Sequence, residues 1–279
     1  MPNTTEGSSA RFMDGAIPAG LLAAVRSERP LIHHITNSVT INDCANITIS
    51  TGAAPVMAEA PEEVAEMVAG AGALVLNIGT LSAAQVDAML IAGRRANDLG
   101  IPVVLDPVGA GATEFRTATA KRLLDTLDIA VLKGNAGEIG VLAGTGGNVR
   151  GVDSGGVKGD PIETARECAR ATGTVVAMTG AVDVVTDGTH VYLVGNGNPA
   201  MDRLSGTGCM VASVTAAFVA VGDDRAVASA AALAAFGRAG ERAAAGGFAG
   251  PYTFRTALFD ELAGLSPGDL AGHARIEER

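Results

Sequence analysis

Residues 73–111 read ALVLNIGTLSAAQVDAMLIAGRRANDLGIPVVLDPVGAG, and two short runs inside this stretch decide the fold class. The first, 73–77, is apolar up to its last residue; the second, 102–105, is apolar throughout and rich in valine. A strand with one wet face alternates apolar and polar residues, so a run without alternation suits a strand covered on both sides. Between the runs lies a helical stretch with recognisable ends. Ser82 and Gln85 have the spacing of a capping box, and Gly100 stands where such a helix closes. Strand, helix and strand in that order form a βαβ unit, whose two strands run parallel.

Outward from this unit the rhythm repeats. Runs at 31–35, 55–58, 129–132 and 174–178 read as further strands. Asp160, Pro161 and Glu163 open another helix, which Gly173 ends. The expectation is an α/β fold: a mainly parallel central sheet with helices on both faces. Beyond 178 the pattern changes. Residues 182–186, Asp187-Gly188 and 189–194 read as a hairpin with a two-residue turn. Two alanine-rich stretches, 208–221 and 225–245, read as buried helices, and 253–265 as a last one. The glycine-rich stretch 144–159 reads as a surface loop. No linker of domain-boundary character interrupts the pattern, so a single domain over 1–279 is expected, with flexible ends at 1–14 and 267–279.

Composition narrows the function. Only 3% of residues are aromatic, none is Trp, and the net charge is −10, which opposes both base stacking and attraction to a polyanion. A nucleic-acid partner is excluded on those grounds. Cys44, Cys168 and Cys209 are odd in number and widely spaced, which points away from a disulfide framework or zinc site. His33 and His34 are adjacent on a strand and so face opposite ways, unsuited to sharing a metal. The uncharged run 205–222 is interrupted by Ser, Thr and Gly and suits a buried helix better than a membrane span. A reduced, cytoplasmic protein without a membrane segment is expected.

Ligands of parallel sheets bind beyond the carboxyl ends of the strands. Five places there carry polar or glycine-rich sequence: Thr36-Asn37-Ser38, Asn77-Ile78-Gly79-Thr80, residues 106–111, residues 133–138, and Ser205-Gly206-Thr207-Gly208-Cys209 before an apolar helix. The last is the most informative. A glycine turn feeding a helix presents unpaired N–H groups at the positive end of the helix dipole, which is an anion site. Cys209 lies in that first turn, where the same field should lower its thiol pKa; spacing alone also allows a small residue packed at a helix start. Asp106 either faces a metal or phosphate-bound water or makes a turn before Pro107. Glu138 reads as a helix-dipole partner, Asn37 as an N-cap, Met57 as core filler, Lys133 as solvated or phosphate-paired, and Thr179 as a nucleotide contact or turn hydroxyl. Neither a Walker A motif nor GxGxxG after the first strand occurs.

Taken in order, these motifs say more. Asn37-Ser38, Ala-Pro-Val-Met at 54–57, Asn-Ile-Gly-Thr-Leu at 77–81, Asp-Pro-Val-Gly-Ala-Gly at 106–111, Lys-Gly-Asn-Ala-Gly-Glu-Ile at 133–139, Met-Thr-Gly at 178–180 and Ser-Gly-Thr-Gly-Cys at 205–209 together resemble the hydroxyethylthiazole kinases. The resemblance runs from about His33 to Phe259. It implies a ribokinase-like three-layer sandwich and ATP- and Mg²⁺-dependent phosphorylation of the primary alcohol of 4-methyl-5-(2-hydroxyethyl)thiazole in thiamine salvage. It also implies a homotrimer with active sites at subunit interfaces, which agrees with the lack of an evident inserted lid of extra strands. By position, Cys209 matches the catalytic residue. Met57, Gly206 and Asn37 match substrate contacts, and Lys133 and Thr179 match ATP contacts. Asp106 and Glu138 match acidic residues near the metal. Alternatives on a related fold are a hydroxymethylpyrimidine or pyridoxal kinase, a nucleotide-dependent lyase of the NAD(P)H-hydrate dehydratase kind, or a nucleotide-binding protein without turnover.

Overall fold

The structure is a computed structural model that describes residues 11–145, 147–150, 153–157 and 159–279. In chain order the first half comprises β1 (Arg11–Phe12), α1 (Ala16–Glu28), β2 (Leu31–Ile35), α2 (Ile41–Thr51), β3 (Ala54–Val56), α3 (Val64–Val68), β4 (Ala73–Asn77), α4 (Ala83–Asp98), β5 (Val103–Asp106), α5 (Glu114–Thr126), β6 (Val131–Asn135) and α6 (Ala136–Leu142). The second comprises β7 (Gly147–Arg150), β8 (Asp153–Val157), α7 (Pro161–Thr172), β9 (Val175–Thr179), β10 (Asp183–Thr186), β11 (Val191–Val194), a 3₁₀ turn (Pro199–Arg203), α8 (Thr207–Val219), α9 (Arg225–Ala245), α10 (Pro251–Ala263), α11 (Pro267–His273) and β12 (Ile276–Glu278). Ten strands form one sheet in the order β1-β12-β11-β10-β9-β6-β5-β4-β2-β3. From β3 to β9 neighbours are parallel, and from β9 to β1 they are antiparallel.

Unalternating strands feed two cores at once. Ala73 and Val75, Val104, Val131, and Val175 and Ala177 join one core with α1, α2 and α8 to α11. The residues between them, Leu74 and Leu76, Val103 and Leu105, Leu132, and Val176 and Met178, join the other with α3 to α7. This is the expected three-layer sandwich, and it fixes a parity: Asn77, Asp106, Lys133 and Thr179, each two residues beyond a member of the first core, face the α8 layer. The sheet also has a switch point. From β2 the chain passes to β3 on one side, then returns to place β4 on the other, and a crevice opens there at the carboxyl ends.

Several expectations need correction. Strand β6 runs on to Asn135 because its ladder with β9 continues through Lys133↔Ala177 and Asn135↔Thr179, so Lys133 lies in a strand and not after one. The hairpin β10–β11 closes at Thr186↔Val191, leaving four residues in the turn; Asp187 Oδ1 accepts N–H bonds from Thr189 and His190 and holds that wider loop. Ser82 caps α4, but Gln85 does not answer it: its Nε2 donates to Thr36 O at 2.9 Å. Residues 147–150 and 153–157, read as loop, pair as an antiparallel ribbon, so the chain does carry an extra pair of strands. The segment 267–279 is not loose. Ser266 caps α11 with Pro267 in its first turn, so the segment expected to be a flexible end begins with a helix. Leu270 and Ile276 are buried, and β12 sits between β11 and β1. Of the other expected flexible end, residues 1–10 lie outside the described residues, while Met13 is buried and donates to Ile276 O.

Candidate active site

Parity and register set three polar side chains in a row. Asn77 pairs with Asp106 across β4 and β5, and Lys133 follows one step beyond Leu105↔Leu132. Asn77 Nδ2 donates to Asp106 Oδ2 at 2.8 Å, and Lys133 Nζ lies 3.5 Å from Asp106 Oδ1. All three are buried. Burial pushes the Asp106 carboxyl up, against the pull of Lys133 and Asn77. Burial draws the Lys133 ammonium down, but Asp106, with Glu138 beside it, more than offsets it, and the group stays protonated.

Glu138 stands at the start of α6, buried, with both oxygens engaged. Oε2 accepts from Asn135 N–H in a capping box, and Oε1 accepts from Gly109 N–H, each at 2.8 Å. The dipole placement read from the sequence is therefore real, and it also staples the glycine-rich loop after β5. Burial and the neighbouring Asp106 push its carboxyl up to about 7. The loop is held a second time by Arg116, whose guanidinium donates to the carbonyls of Val108, Ile78 and Gly79 at 2.7–3.0 Å.

The start of α8 closes over this row. Gly206 adopts φ +90°, and a Cβ there would lie 2.4 Å from Thr40 Cγ2, so both conformation and space require glycine. No side chain caps the helix. A Cβ on Gly208 would lie 3.1 Å from Lys133 Nζ, which places the ammonium against the first turn. Cys209 is half-buried, and Asn37 Nδ2 donates to its sulfur at 3.3 Å. Its thiol is raised, not lowered as expected from the helix dipole: burial and the Asp106 carboxylate outweigh Lys133 and the polar side chains around the sulfur. Asn37 is not an N-cap, since α2 begins after Thr40 with no side-chain cap. Its oxygen instead gathers Val39 N–H, Thr40 N–H and the Thr40 hydroxyl. Its amide also donates to Asn77 Oδ1 at 2.9 Å, bridging the crevice between β2 and β4.

The structure thus brings Asn37, Asp106, Lys133, Glu138, Gly206 and Cys209 together. Thr179 lies on β9 at the level of Asn135, half-buried and 3.4 Å from Gly134 O. Met57 stands apart, just past the edge strand β3 and partly exposed. Sequence reasoning assigned no role to Asn77 or Asp183. Parity would have found the first, two residues after Val75 on the same face as Asp106. Asp183 opens β10, accepts Gly180 N–H at 2.9 Å and is pushed up to about 7 by burial. Its proximity to Lys133 depends on the β9–β10 reversal, which has no local signature. Among the described residues no group of three or more His, Cys, Asp or Glu side chains could hold a metal by itself.

A buried ammonium between a carboxylate and an uncapped glycine turn, at the switch point of a parallel sheet, defines a small-molecule phosphotransferase on a ribokinase-like sandwich. Comparison with known proteins makes this specific. The family model described as the hydroxyethylthiazole kinase family matches residues 22–267. Hydroxyethylthiazole kinase of Methanoculleus marisnigri is 88% identical over 99% of this chain and 99% of its own, and that of Methanosphaerula palustris is 62% identical over 92% and 97%. The solved hydroxyethylthiazole kinase of Pyrococcus horikoshii superposes with a TM-score of 0.85 at 40% identity, covering 94% of this chain and 98% of that one. Pyridoxal kinase of Bacillus subtilis, at 18% identity and a TM-score of 0.52 over 75% of this chain and 92% of its own, shares the fold. The chain belongs to the hydroxyethylthiazole kinase family.

Proposed function

We propose that this chain transfers the γ-phosphoryl group of ATP to the primary alcohol of 4-methyl-5-(2-hydroxyethyl)thiazole in the crevice between β2, β4, β5 and the start of α8. Membership of the family makes the chain a thiazole-alcohol kinase of thiamine biosynthesis and sets aside the pyrimidine, pyridoxal and lyase alternatives. The observation that carries the proposed site is the position of Lys133 Nζ, 3.5 Å from Asp106 and against the first turn of α8. A pair this long is loosely made, and a phosphate oxygen can compete for the ammonium. Gly208 and Cys209 lie in the uncapped first turn of the same helix, whose N–H groups lack helical partners and would stabilise charge on the transferring group. Thr179, on the next strand, extends the ATP side.

Asp106 and Glu138 suit Mg²⁺. They are two buried carboxylates near enough for one to raise the other, and each Glu138 oxygen keeps a lone pair after its N–H bond. Mg²⁺ is usually held by one or two carboxylates with phosphates and waters completing the shell, which is the pattern available here. When bound, the ion would neutralise charge on the β- and γ-phosphate oxygens. Cys209 faces the alcohol side. Because its thiol is raised, its part is to orient the hydroxyl, its sulfur accepting that hydrogen bond. The alcohol oxygen then bonds the γ-phosphorus as the bond to ADP breaks, and the hydroxyl proton leaves to an oxygen of the transferred phosphoryl group. Phosphoryl transfer through a loose transition state needs placement more than deprotonation. Asn37 steadies the sulfur from behind.

The test is ADP release from Mg·ATP with and without the thiazole alcohol, with pyridoxal and hydroxymethylpyrimidine alongside. Strong stimulation by the thiazole alone is expected; stimulation by either other alcohol in preference would overturn the substrate. Assembly as a homotrimer with interfacial sites is part of the same proposal. Its support is Met57, a candidate substrate contact left partly exposed past the open edge of β3, where a second copy would complete its surroundings. Sedimentation should give three times the chain mass, and a fully active monomer would refute it.

A further inference from the structure

We infer that Asn77 is a positioning residue for phosphoryl transfer: it locks a chain of amides so that Cys209 and Asp106 each meet a hydrogen-bond donor. Backbone N–H groups only donate, so any amide that meets one has its orientation decided. Gly79 N–H meets Asn77 Oδ1 at 2.9 Å, which turns Asn77 Nδ2 to Asp106 Oδ2 at 2.8 Å. Val39 and Thr40 N–H meet Asn37 Oδ1 at 3.1 and 3.0 Å, which turns Asn37 Nδ2 both to Asn77 Oδ1 at 2.9 Å and to Cys209 Sγ at 3.3 Å. Neither amide can flip without setting donor against donor. The Thr40 hydroxyl is committed as well, donating to Asn37 Oδ1 at 3.0 Å.

Two consequences follow for groups that meet substrate. Asp106 Oδ2 is held as an acceptor, the role of an ionised carboxylate. The sulfur of Cys209 has a donor on its inner side, so any proton it carries points outward to the crevice and its acceptor strength is set from within. Asn77 is buried behind this row, holding Asp106 through Nδ2 and Asn37 through Oδ1. The inference rests on the proposed role of Cys209, but it can be read without turnover.

The experiment follows alkylation of Cys209 by iodoacetamide at one fixed pH in the full chain. Cys44 and Cys168 are buried, and Cys209→Ser supplies the blank. Asn77→Asp keeps the two contacts made by Oδ1 and replaces the donor facing Asp106 with an oxygen. Alkylation is expected to slow by about tenfold, the effect of one pKa unit. kcat should fall by a similar factor while KM for the thiazole alcohol stays within about threefold. A merely structural role would loosen the site and leave alkylation unchanged or faster. Alkylation at or above the wild-type rate in folded Asn77→Asp, or a KM effect without a kcat effect, overturns the inference. Should that variant not fold, Asn37→Asp sets an oxygen directly against the sulfur and is read the same way: slower alkylation supports the inference and an equal or faster rate overturns it. Failure of the kinase reading would show instead as absent turnover in the wild-type chain.

Discussion

The molecule carries two clusters of charge that solve the same problem in opposite ways. Around α9 to α11, Arg238 donates to both oxygens of Asp269 at 3.0 Å. Arg242 joins Glu261 to the same Asp269, and Arg275 meets Glu241 at 2.7 Å. Every charge there has a partner, and hydrogen bonds from arginine and backbone hold Asp269 and Glu241 below the usual carboxylate range. Beside α8 the opposite holds. One ammonium, at 3.5 Å, serves Asp106 with Glu138 and Asp183 nearby, and all three carboxyls are pushed up by burial. The first cluster is closed on itself and serves as structure. The second is short of positive charge, and under the proposed function a bound Mg²⁺ would supply it.

The sharpest way to break this contrast is Asp106→Ala. It should reduce kcat/KM by about a thousandfold or more and, by leaving Lys133 buried without its partner, destabilise the fold by roughly 3–5 kcal/mol in urea unfolding. The double substitution Asp106→Leu with Lys133→Met separates those effects: stability should return to within about 1–2 kcal/mol of wild type while activity stays lost. Asp269→Ala, in the partly exposed network, should cost about 1 kcal/mol and leave kcat unchanged.

Smaller still, and of opposite sign in the two clusters, is the dependence on pH. Glu138 and Asp183 titrate near 7 in the folded chain against ordinary values of 4.5 and 3.8. The folded state therefore binds their protons more tightly, and their contribution to stability falls as pH rises from those values toward 7. Asp269 and Glu241 are lowered, so their contribution is present at neutral pH and lost on acidification. Melting temperatures at pH 5 and pH 8 should differ less in Glu138→Gln than in wild type, by a few degrees. Asp269→Asn should narrow the loss of stability between pH 6 and pH 3.

Local pattern carried the parallel half of the sheet and most of the site. Residues 73–77 and 102–105 announce strands covered on two sides, and a glycine turn before an apolar helix announces an anion site. Counting parity from Val75, Val104 and Val131 would have added Asn77 to the row. What escaped depends on distant partners. Lys133 stays in its strand because β9 continues the ladder beside it. Pro267 begins a helix because Ser266 caps it and Leu270 finds a core to enter. The direction of the Cys209 shift is set by burial at the start of α8 and by Asp106, about a hundred residues away in the chain. A first-turn thiol reads as activated until that carboxylate is placed beside it.

Arg116 gives the pocket a mechanical property. One rigid, planar group grips carbonyls on the loop after β4 and on the loop after β5. A shift of either loop is therefore handed to the other, so the two walls of the crevice are coupled as one body through a single side chain.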